Sequence, residues 1–423
     1  MGRALRHRNY RLFFFGQGTS LVGTWLTRVA TAWLVYRLTS SALLLGIVGF
    51  AGQMPTFLVA PFAGVLVDRW NRHRVLVVTQ ALAMVQSGLL SWFALRGTIT
   101  VWHVLVLSAF QGLINAFDTP ARQAFVVEMV DDRADLANAI ALNSSMVNGA
   151  RLLGPSIGGA IIAAVGEGWC FAIDAFSYLF VIASLIAMRV TLAGRRERAE
   201  AHVLQDLRDG WQYVIRSAPI RTALIVLAIV STMAMPYSVL MPAVVTEVLH
   251  GGPNALGLLM TASGVGALAG ALYLAQRKSV VGLGKVVMYA TLVFGVGLIG
   301  FSLSRTELLA TAILTLVGGG FMLQLAATNT VLQTLVDDRL RGRVMAFYTM
   351  AFFGSAPIGS LLAGVVADRI GAQTTIGLCG GVCVLTGVWF AGKLPSLRAI
   401  VRPIYIERGI LPVPAVDTGT KSL

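Results

Sequence analysis

Amide and charged side chains recur at helical spacing inside long apolar stretches of this 423-residue sequence. One set, Ser108, Gln111, Asn115, Asp118 and Arg122, is separated by three or four residues and therefore shares one helix face. A charged side chain that faced lipid would cost several kcal/mol, so this face must meet protein or water. The pattern predicts a polar cavity in which Asp118 could gain and lose a proton.

Two further polar faces belong to the same predicted cavity. One carries Arg28 in the first apolar run, and the other carries Arg151 in the fifth. The alternative is that all three faces only hydrogen-bond helix to helix, with Asp118 and Arg122 as a static pair one turn apart. We favour a cavity for substrate and coupling ion, because helix packing works well with small residues and does not require charge. The predicted cavity residues are Gln17, Thr24, Arg28, Gln111, Asn115, Asp118, Asn148, Arg151, Gln324 and Thr328.

The elements that position these residues are predicted to be membrane helices. Hydrophobic residues make up 56% of the chain and charged residues only 12%, against about 25% charge in soluble domains. This composition excludes a soluble enzyme, a disulfide-rich secreted domain and a disordered protein. The apolar runs fall at 11–36, 42–67, 74–95, 101–122, 138–165, 169–189, 221–245, 255–276, 285–304, 308–332, 344–367 and 373–393.

The formal net charge of +14 is explained by membrane topology. If the amino terminus is cytoplasmic, 27 of the 33 Lys and Arg residues fall in cytoplasmic segments. Only four, Arg37, Arg96, Arg305 and Arg369, fall in external loops. The positive-inside rule therefore predicts that both termini are cytoplasmic, and no nucleic-acid partner is needed to account for the charge.

The twelve runs divide six and six around a polar segment. Met129–Arg133 follows the fourth run and the similar string Leu335–Arg339 follows the tenth, which indicates an internal repeat. Within the central polar segment, apolar residues recur at helical spacing and predict an amphipathic helix along the cytoplasmic face. The predicted domains are a first bundle at 1–190, a linker at 191–220, a second bundle at 221–395 and a mobile cytoplasmic tail at 396–423.

Two motifs resemble those of the major facilitator superfamily. After the second run, Gly64 is followed four residues later by Asp68-Arg69 and then by Arg72 and Arg74. The resemblance implies an all-α fold of twelve membrane helices in two six-helix bundles, and secondary transport by alternating access. It also implies a gating loop and a packing motif in the fifth span. The gating-loop residues are Gly64, Asp68, Arg69, Arg72, Arg74 and Arg122, and the span-five residues are Gly154, Pro155, Gly158 and Gly159.

A narrower resemblance is carried by Ala116–Phe125, which is similar to the bacterial exporter branch that contains enterobactin-exporter and macrolide-efflux-like proteins. It implies export of a bulky amphipathic molecule, siderophore-like or drug-like, from the bacterial cytoplasm by a monomer in the inner membrane. No cofactor or metal is implied. The sequence has Ser108 where drug–proton antiporters of the superfamily carry an arginine in Arg-x-x-Gln-Gly, so Asp118 becomes the candidate for proton coupling.

Three other functions remain open at this stage. A polytopic membrane enzyme would need a nucleophile–base or metal site, but all five histidines lie in loops or at span ends. A lysolipid transporter and a transport-inactive receptor are also compatible with the pattern. The three cysteines, Cys170, Cys379 and Cys383, lie in apolar runs and are interpreted as small membrane-helix residues.

Overall fold

The computed structural model describes residues 3–130, 132–189, 203–277, 279–337 and 339–412. Within these ranges the chain is helical and contains no strand. The first half forms α1 (Arg8–Thr39), α2 (Ala42–Arg69), α3 (Arg72–Leu95), α4 (Val101–Glu128), α5 (Leu136–Val165) and α6 (Glu167–Ala187). The second half forms α7 (Val203–Arg216), α8 (Ala218–Val239), α9 (Met241–Glu247), α10 (Pro253–Ala275), α11 (Leu283–Leu303), α12 (Glu307–Leu335), α13 (Arg341–Phe353), α14 (Ser355–Ile370) and α15 (Ala372–Glu407).

The helices pack as two bundles. In the first bundle, α1 packs on α5 and α6, α2 on α4, and α3 on α4 and α6. In the second, α10 packs on α12, α11 on α12 and α15, and α8 on α14 and α15. Two helix pairs, α5 with α10 and α2 with α14, join the bundles. We call the ends that carry Arg37, Arg96, Arg305 and Arg369 the outer ends, following the topology predicted from charge.

Two of the predicted spans are each divided into two helices. The seventh breaks at Leu240 between α8 and α9, and the eleventh breaks at Gly354 between α13 and α14. Pro236, Pro242 and Pro357 lie close to these breaks and cannot donate a backbone hydrogen bond to the preceding turn. The break in the eleventh span lies beside Ala356-Pro357-x-Gly359, a pattern that predicts a kink at this place.

Two other helices are longer than the sequence pattern predicted. Pro120 was expected to interrupt the fourth span, but α4 continues through it to Glu128, because a proline removes one backbone bond without preventing the next turn. The predicted mobile tail at residue 396 is helical as far as Glu407. The Arg408 guanidinium donates to the carbonyl oxygen of Val336 at 3.1 Å, and Tyr405 is buried against α12 and α13, so this extension is held by packing.

Ten helical segments of the described chain are long and apolar enough to cross a membrane. They include every predicted span except the first and the fifth. The corresponding helices, α1 and α5, have 32 and 30 residues and pack inside the first bundle, but they carry the polar faces that contain Arg28 and Arg151. The all-α membrane fold is thus confirmed, and the count of twelve spans stays a prediction.

The linker contributes a helix at the predicted place. Part of it, residues 191–202, lies outside the described residues, as does the end of the tail at 413–423. In α7, Val214 is buried, and the Asp209 carboxylate pairs with the Arg343 guanidinium of α13 at 3.0 Å. Trp211 and Ile215 remain exposed, as expected for a helix that presents an apolar face to the membrane surface.

Candidate functional site

Asp118 lies inside the first bundle and is fully engaged by its neighbours. Its Oδ1 atom accepts hydrogen bonds from Thr79 Oγ1 at 3.0 Å and from Gln80 Nε2 at 2.7 Å, both on α3. Its Oδ2 atom pairs with the Arg122 guanidinium one helical turn away. Because α4 remains helical through Pro120, this pair is possible. Both carboxylate oxygens of Asp118 are thus satisfied by side chains of α3 and α4.

We expect Asp118→Ala to destabilise the protein in detergent, because Thr79, Gln80 and Arg122 would all lose their acceptor. The loss should be about 2 kcal/mol, or roughly 2 °C in the melting temperature of a chain of this length. Asp118→Asn keeps an acceptor for the two α3 donors and should lose less than half as much. An unchanged melting temperature for Asp118→Ala would contradict the structural role of this network.

A second buried carboxylate, Asp174 on α6, was missed by the sequence reasoning. Its side chain is 1% exposed, and its Oδ2 atom accepts hydrogen bonds from Thr27 Oγ1 and Ser87 Oγ, both at 2.8 Å. Its Oδ1 atom has no hydrogen-bond partner among the described residues and points at Gly23, where an added Cβ would lie only 2.6 Å away. The signal was available, because a carboxylate in the middle of an apolar run is a candidate functional residue.

The helices that carry Arg28 and Arg151, α1 and α5, pack against each other, and the place of both arginines in a cavity stays a prediction. The Arg28 guanidinium carbon is 4.9 Å from the centre of the Trp25 ring. Trp25 in turn packs on Gly154, where an added Cβ would lie 2.4 Å from the Trp25 Cβ, so α1 and α5 are in close contact at this level.

The uncharged residues of the predicted cavity bond within their own helices or are buried. Gln111 Nε2 donates to Asn115 Oδ1 at 3.1 Å, Thr24 Oγ1 donates to the Ser20 carbonyl at 3.1 Å, and Asn148 Nδ2 donates to the Ser144 carbonyl at 2.8 Å. The structure buries three others inside the bundles. These are Gln17, Gln324 and Thr328. Their assignment to a substrate cavity therefore stays a prediction for a conformation in which these faces open.

The span-five motif forms the contact between α5 and α10. A Cβ atom at Gly159 would lie 2.5 Å from the Pro253 carbonyl oxygen, and one at Gly257 would lie 2.5 Å from the Pro155 carbonyl oxygen. Gly158 instead faces α1, where an added Cβ would make ordinary contacts of 3.5 Å. Small residues at Gly159 and Gly257 thus let two helix backbones of different bundles approach closely.

Polar contacts accompany this approach. Ser156 Oγ and Thr261 Oγ1 are 2.6 Å apart, and they join α5 to α10 one turn below the glycine pair. At the outer end, the Tyr36 hydroxyl donates to the Glu247 carboxylate of α9. The outer ends of the two bundles are therefore held together by backbone packing and by side-chain hydrogen bonds.

The other joining pair, α2 with α14, is equally close near its outer end. A Cβ atom at Gly46 would lie 2.7 Å from Gly364 Cα, and Gln53 Nε2 donates to Ser360 Oγ at 3.3 Å. Within the described residues, the hydrogen bonds between the bundles lie from mid-helix to the outer ends. The arrangement is that of a two-bundle protein closed at its outer side.

The predicted gating loop ties helix ends together within the first bundle. The Arg72 guanidinium pairs with Asp68 at 2.9 Å and also with Glu128, so it links α2 and α4 to the start of α3. Trp70 stacks on Phe117 with ring centres 6.2 Å apart. Arg69 and Arg74 are exposed, and a Cβ at Gly64 would meet no atom within 4 Å. Gly64 is therefore free to form a close contact in another conformation.

Comparisons with known proteins match nearly the whole chain. A family model described as a transmembrane secretion effector matches residues 3–409. The staphyloferrin A transporter of Staphylococcus aureus (strain NCTC 8325 / PS 47) is 25% identical over 394 residues, which cover 92% of this chain and 97% of that protein. The multidrug efflux pump Tap of Mycolicibacterium fortuitum is 29% identical over 398 residues, which cover 92% of this chain and 96% of that protein.

A solved structure supports the fold. The crystal structure of a bacterial homologue of the iron transporter ferroportin in the inward-facing state superposes with a TM-score of 0.69. The match covers 91% of this chain and 98% of that chain, at 15% sequence identity. At this identity the likeness concerns the architecture of two packed helix bundles.

Proposed function

Because this chain belongs to the transmembrane secretion effector family of the major facilitator superfamily, we propose that it exports a bulky amphipathic small molecule from the bacterial cytoplasm by alternating access. Membership confirms the superfamily inferred from the loop and span-five motifs. The chain is a multi-pass membrane transporter, and its relatives and structural neighbours are transporters and not enzymes. The substrate, the direction of transport and the coupling ion are our proposals.

The observation that carries the proposal is closure of the outer ends around a deep polar region. The Gly159–Gly257 and Gly46–Gly364 approaches hold the bundles together on the outer side, and Arg151 lies about two helical turns deeper than Gly159 on α5. In this conformation a molecule would reach Arg151 from the cytoplasm. Reversal of the closure would release it outside, which is how alternating access produces export.

An amphipathic substrate fits the difference between the two bundles. The deep charges belong to the first bundle, whereas the second carries partly exposed methionine and aromatic side chains. Met233, Met260 and Phe352 are partly exposed, and Phe352 packs on the buried Phe321 with ring centres 6.3 Å apart. Flexible thioethers and aromatic rings accommodate bulky apolar groups better than sugars, which need many hydrogen-bond partners.

Everted membrane vesicles, whose outer surface is the cytoplasmic face, test the direction and the substrate type together. We expect vesicles that contain the chain to accumulate at least one of three fluorescent probes when a pH gradient is imposed. The probes are rhodamine 6G as a cation, dansylglycine as an anion and dansylglycine methyl ester as a neutral compound. Vesicles without the chain provide the control.

Three outcomes would contradict export. Accumulation only in right-side-out vesicles would indicate import. Movement of labelled lysophosphatidylethanolamine without movement of the probes would favour a lysolipid transporter. Failure of all four compounds to move in either orientation would favour a transport-inactive receptor.

We further propose that transport is coupled to protons and that Asp174, in place of Asp118, carries the proton. Asp174 is buried, and within the described residues it forms no ion pair: its hydrogen-bond donors are the hydroxyls of Thr27 on α1 and Ser87 on α3. Burial at membrane depth without a compensating charge favours the neutral acid. Asp118, by contrast, is paired with Arg122 and receives two further donors.

Asp174 is also placed to sense a change of packing. It lies where α1, α3 and α6 meet, and its orphaned Oδ1 atom points at the α1 backbone beside Gly23. A small shift of α1 would admit water to this oxygen and allow the acid to ionise. Such a shift accompanies any rearrangement of the α1–α5–α10 contact, so proton release would follow conformational exchange.

A further inference from the structure

We propose that Arg28 and Arg151 form an anion-binding subsite, and that the exported molecule carries a carboxylate or similar acidic group that binds between these two guanidiniums. This inference rests on the proposed function, because it names the chemical class of the transported molecule. It concerns a binding equilibrium, however, and can be measured without transport.

The first observation is the setting of Arg28. Its side chain is exposed, and it shares one polar face of α1 with Gln17 and Thr24. A charged side chain that faced lipid would cost several kcal/mol, so this face of α1 is taken to border a space between the helices. Tyr36, two turns further along the same side of α1, contacts the second bundle through Glu247, which places this space at the junction of the bundles.

The second observation is that Arg151 belongs to the same place. Its backbone carbonyl oxygen is 3.4 Å from where a Cβ of Gly264 on α10 would be, so this turn of α5 lies at the junction of the bundles. Trp25 packs on Gly154, and Arg28 and Arg151 each lie one helical turn from one of these two residues, so they belong to neighbouring turns of α1 and α5. Two cations held near each other at membrane depth raise the energy of the empty site, and an anion between them would lower it.

The third observation is that, among the described residues, no carboxylate pairs with either of these arginines. Helices α1, α3, α5, α8, α10, α11 and α13 contain no Asp or Glu. In the remaining long helices the acidic residues lie at the ends, with the exceptions of Asp118 and Asp174. Asp118 is occupied by Arg122, and Asp174 is bound by Thr27 and Ser87. The missing counter-charge must therefore come from a bound molecule.

The geometry also favours a particular kind of anion. Guanidinium groups bind carboxylates and phosphates through paired N–H donors. A second guanidinium would strengthen the electrostatic attraction for the same anion. The Trp25 ring beside Arg28 offers an apolar surface next to the charge. A molecule with one acidic group attached to an aromatic or otherwise apolar body fits both features.

Binding of a matched pair of probes to the purified full-length protein in neutral detergent tests this subsite. The probes are dansylglycine and its methyl ester, which differ by one negative charge, and energy transfer from tryptophan to the dansyl group reports binding. We expect the wild type to bind the acid at least tenfold more tightly than the ester. Arg28→Gln and Arg151→Gln should each reduce this preference at least fivefold, and Arg28→Lys should retain more of it than Arg28→Gln.

Arg96 provides a matched control. Its guanidinium carbon also lies over a tryptophan ring, 3.9 Å from the centre of Trp92, but at the outer end of α3 and away from the junction. Arg96→Gln should leave the preference for the acid unchanged. Equal binding of acid and ester by the wild type, no binding of the acid, or a preference that survives both Arg28→Gln and Arg151→Gln would each overturn the subsite.

A competition experiment with lipid, and a comparison of binding with vesicle accumulation, distinguish failure of the subsite from failure of the proposed export. Displacement of dansylglycine by phosphatidylglycerol at equal concentration would assign the subsite to a lipid headgroup and overturn the substrate assignment. Probe accumulation in everted vesicles without acid-selective binding would overturn only the subsite. Acid-selective binding without accumulation of any probe would leave the subsite in place and overturn the proposed export.

Discussion

Gly159→Ala should reduce transport by about tenfold or more, while the protein still inserts into the membrane. The added Cβ would lie 2.5 Å from the Pro253 carbonyl oxygen and 3.2 Å from Gly257 Cα, and both are backbone atoms that cannot move aside without separating α5 from α10. Overpacking of this kind costs on the order of 1–3 kcal/mol, and each ~1.4 kcal/mol shifts a two-state equilibrium tenfold. The cost falls only on the outer-closed state, so the variant should remain open to the outside.

Two quantities are measured: probe accumulation in everted vesicles, and the labelling of a cysteine introduced by Ser156→Cys. In the wild type this position contacts Thr261 and should resist a membrane-impermeant maleimide added from outside; in Gly159→Ala it should react. The three native cysteines are buried and give a low background. Labelling thus reports the conformational shift independently of transport.

Gly158→Ala is the matched control for this prediction. It makes the same chemical change one residue earlier, but the new Cβ would lie 3.5 Å from Leu26 and Val29, which is ordinary contact. Transport within about twofold of the wild type is expected because no backbone must move. The reciprocal change, Gly257→Ala, should reproduce Gly159→Ala. Normal transport and no outside labelling in Gly159→Ala would show that the close α5–α10 contact has no part in the cycle.

Asp174→Asn should abolish accumulation driven by a pH gradient and leave downhill movement of the probe intact. The amide keeps an oxygen acceptor for Thr27 and Ser87, so local packing is retained, but it cannot release a proton. We expect the accumulation ratio to fall to about one in proteoliposomes, while exchange of probe between its two sides remains within about threefold of the wild type.

Asp118→Asn serves as the comparison for Asp174→Asn, because it neutralises the other deep carboxylate. Asp118 is held by Arg122, Thr79 and Gln80, so its neutralisation should lower thermal stability and leave the gradient-driven ratio unchanged. The opposite result, in which Asp118→Asn loses gradient-driven accumulation and Asp174→Asn retains it, would identify Asp118 as the proton-coupling residue. Equal loss of accumulation and exchange in Asp174→Asn would indicate a structural role only.

Much of the architecture followed from the sequence. The apolar runs predicted helix ends to within about three residues at most places, because water-facing residues must begin where the membrane ends. Recognition of the superfamily depended on local motifs, Gly64 to Arg74 and Gly154 to Gly159, and the family match confirmed it. The helix break at Gly354 lies beside Pro357, where the sequence predicts a kink, but the break at Leu240 was not predicted. Proline can either kink a membrane helix or be accommodated in it, as at Pro120.

The deep charges show where sequence reasoning stops. Spacing by itself determined that Asp118, Arg28 and Arg151 lie at membrane depth and that each belongs to a polar helix face, because helical periodicity is local. Only the tertiary structure decided which residue each of them meets. Asp118 contacts Thr79 and Gln80, Asp174 contacts Thr27 and Ser87, and Arg28 lies beside Trp25 where α1 packs on α5. The physical reason is that the free energy of a buried charge depends on neighbours within a few ångströms, and these neighbours come from helices tens of residues apart in the chain.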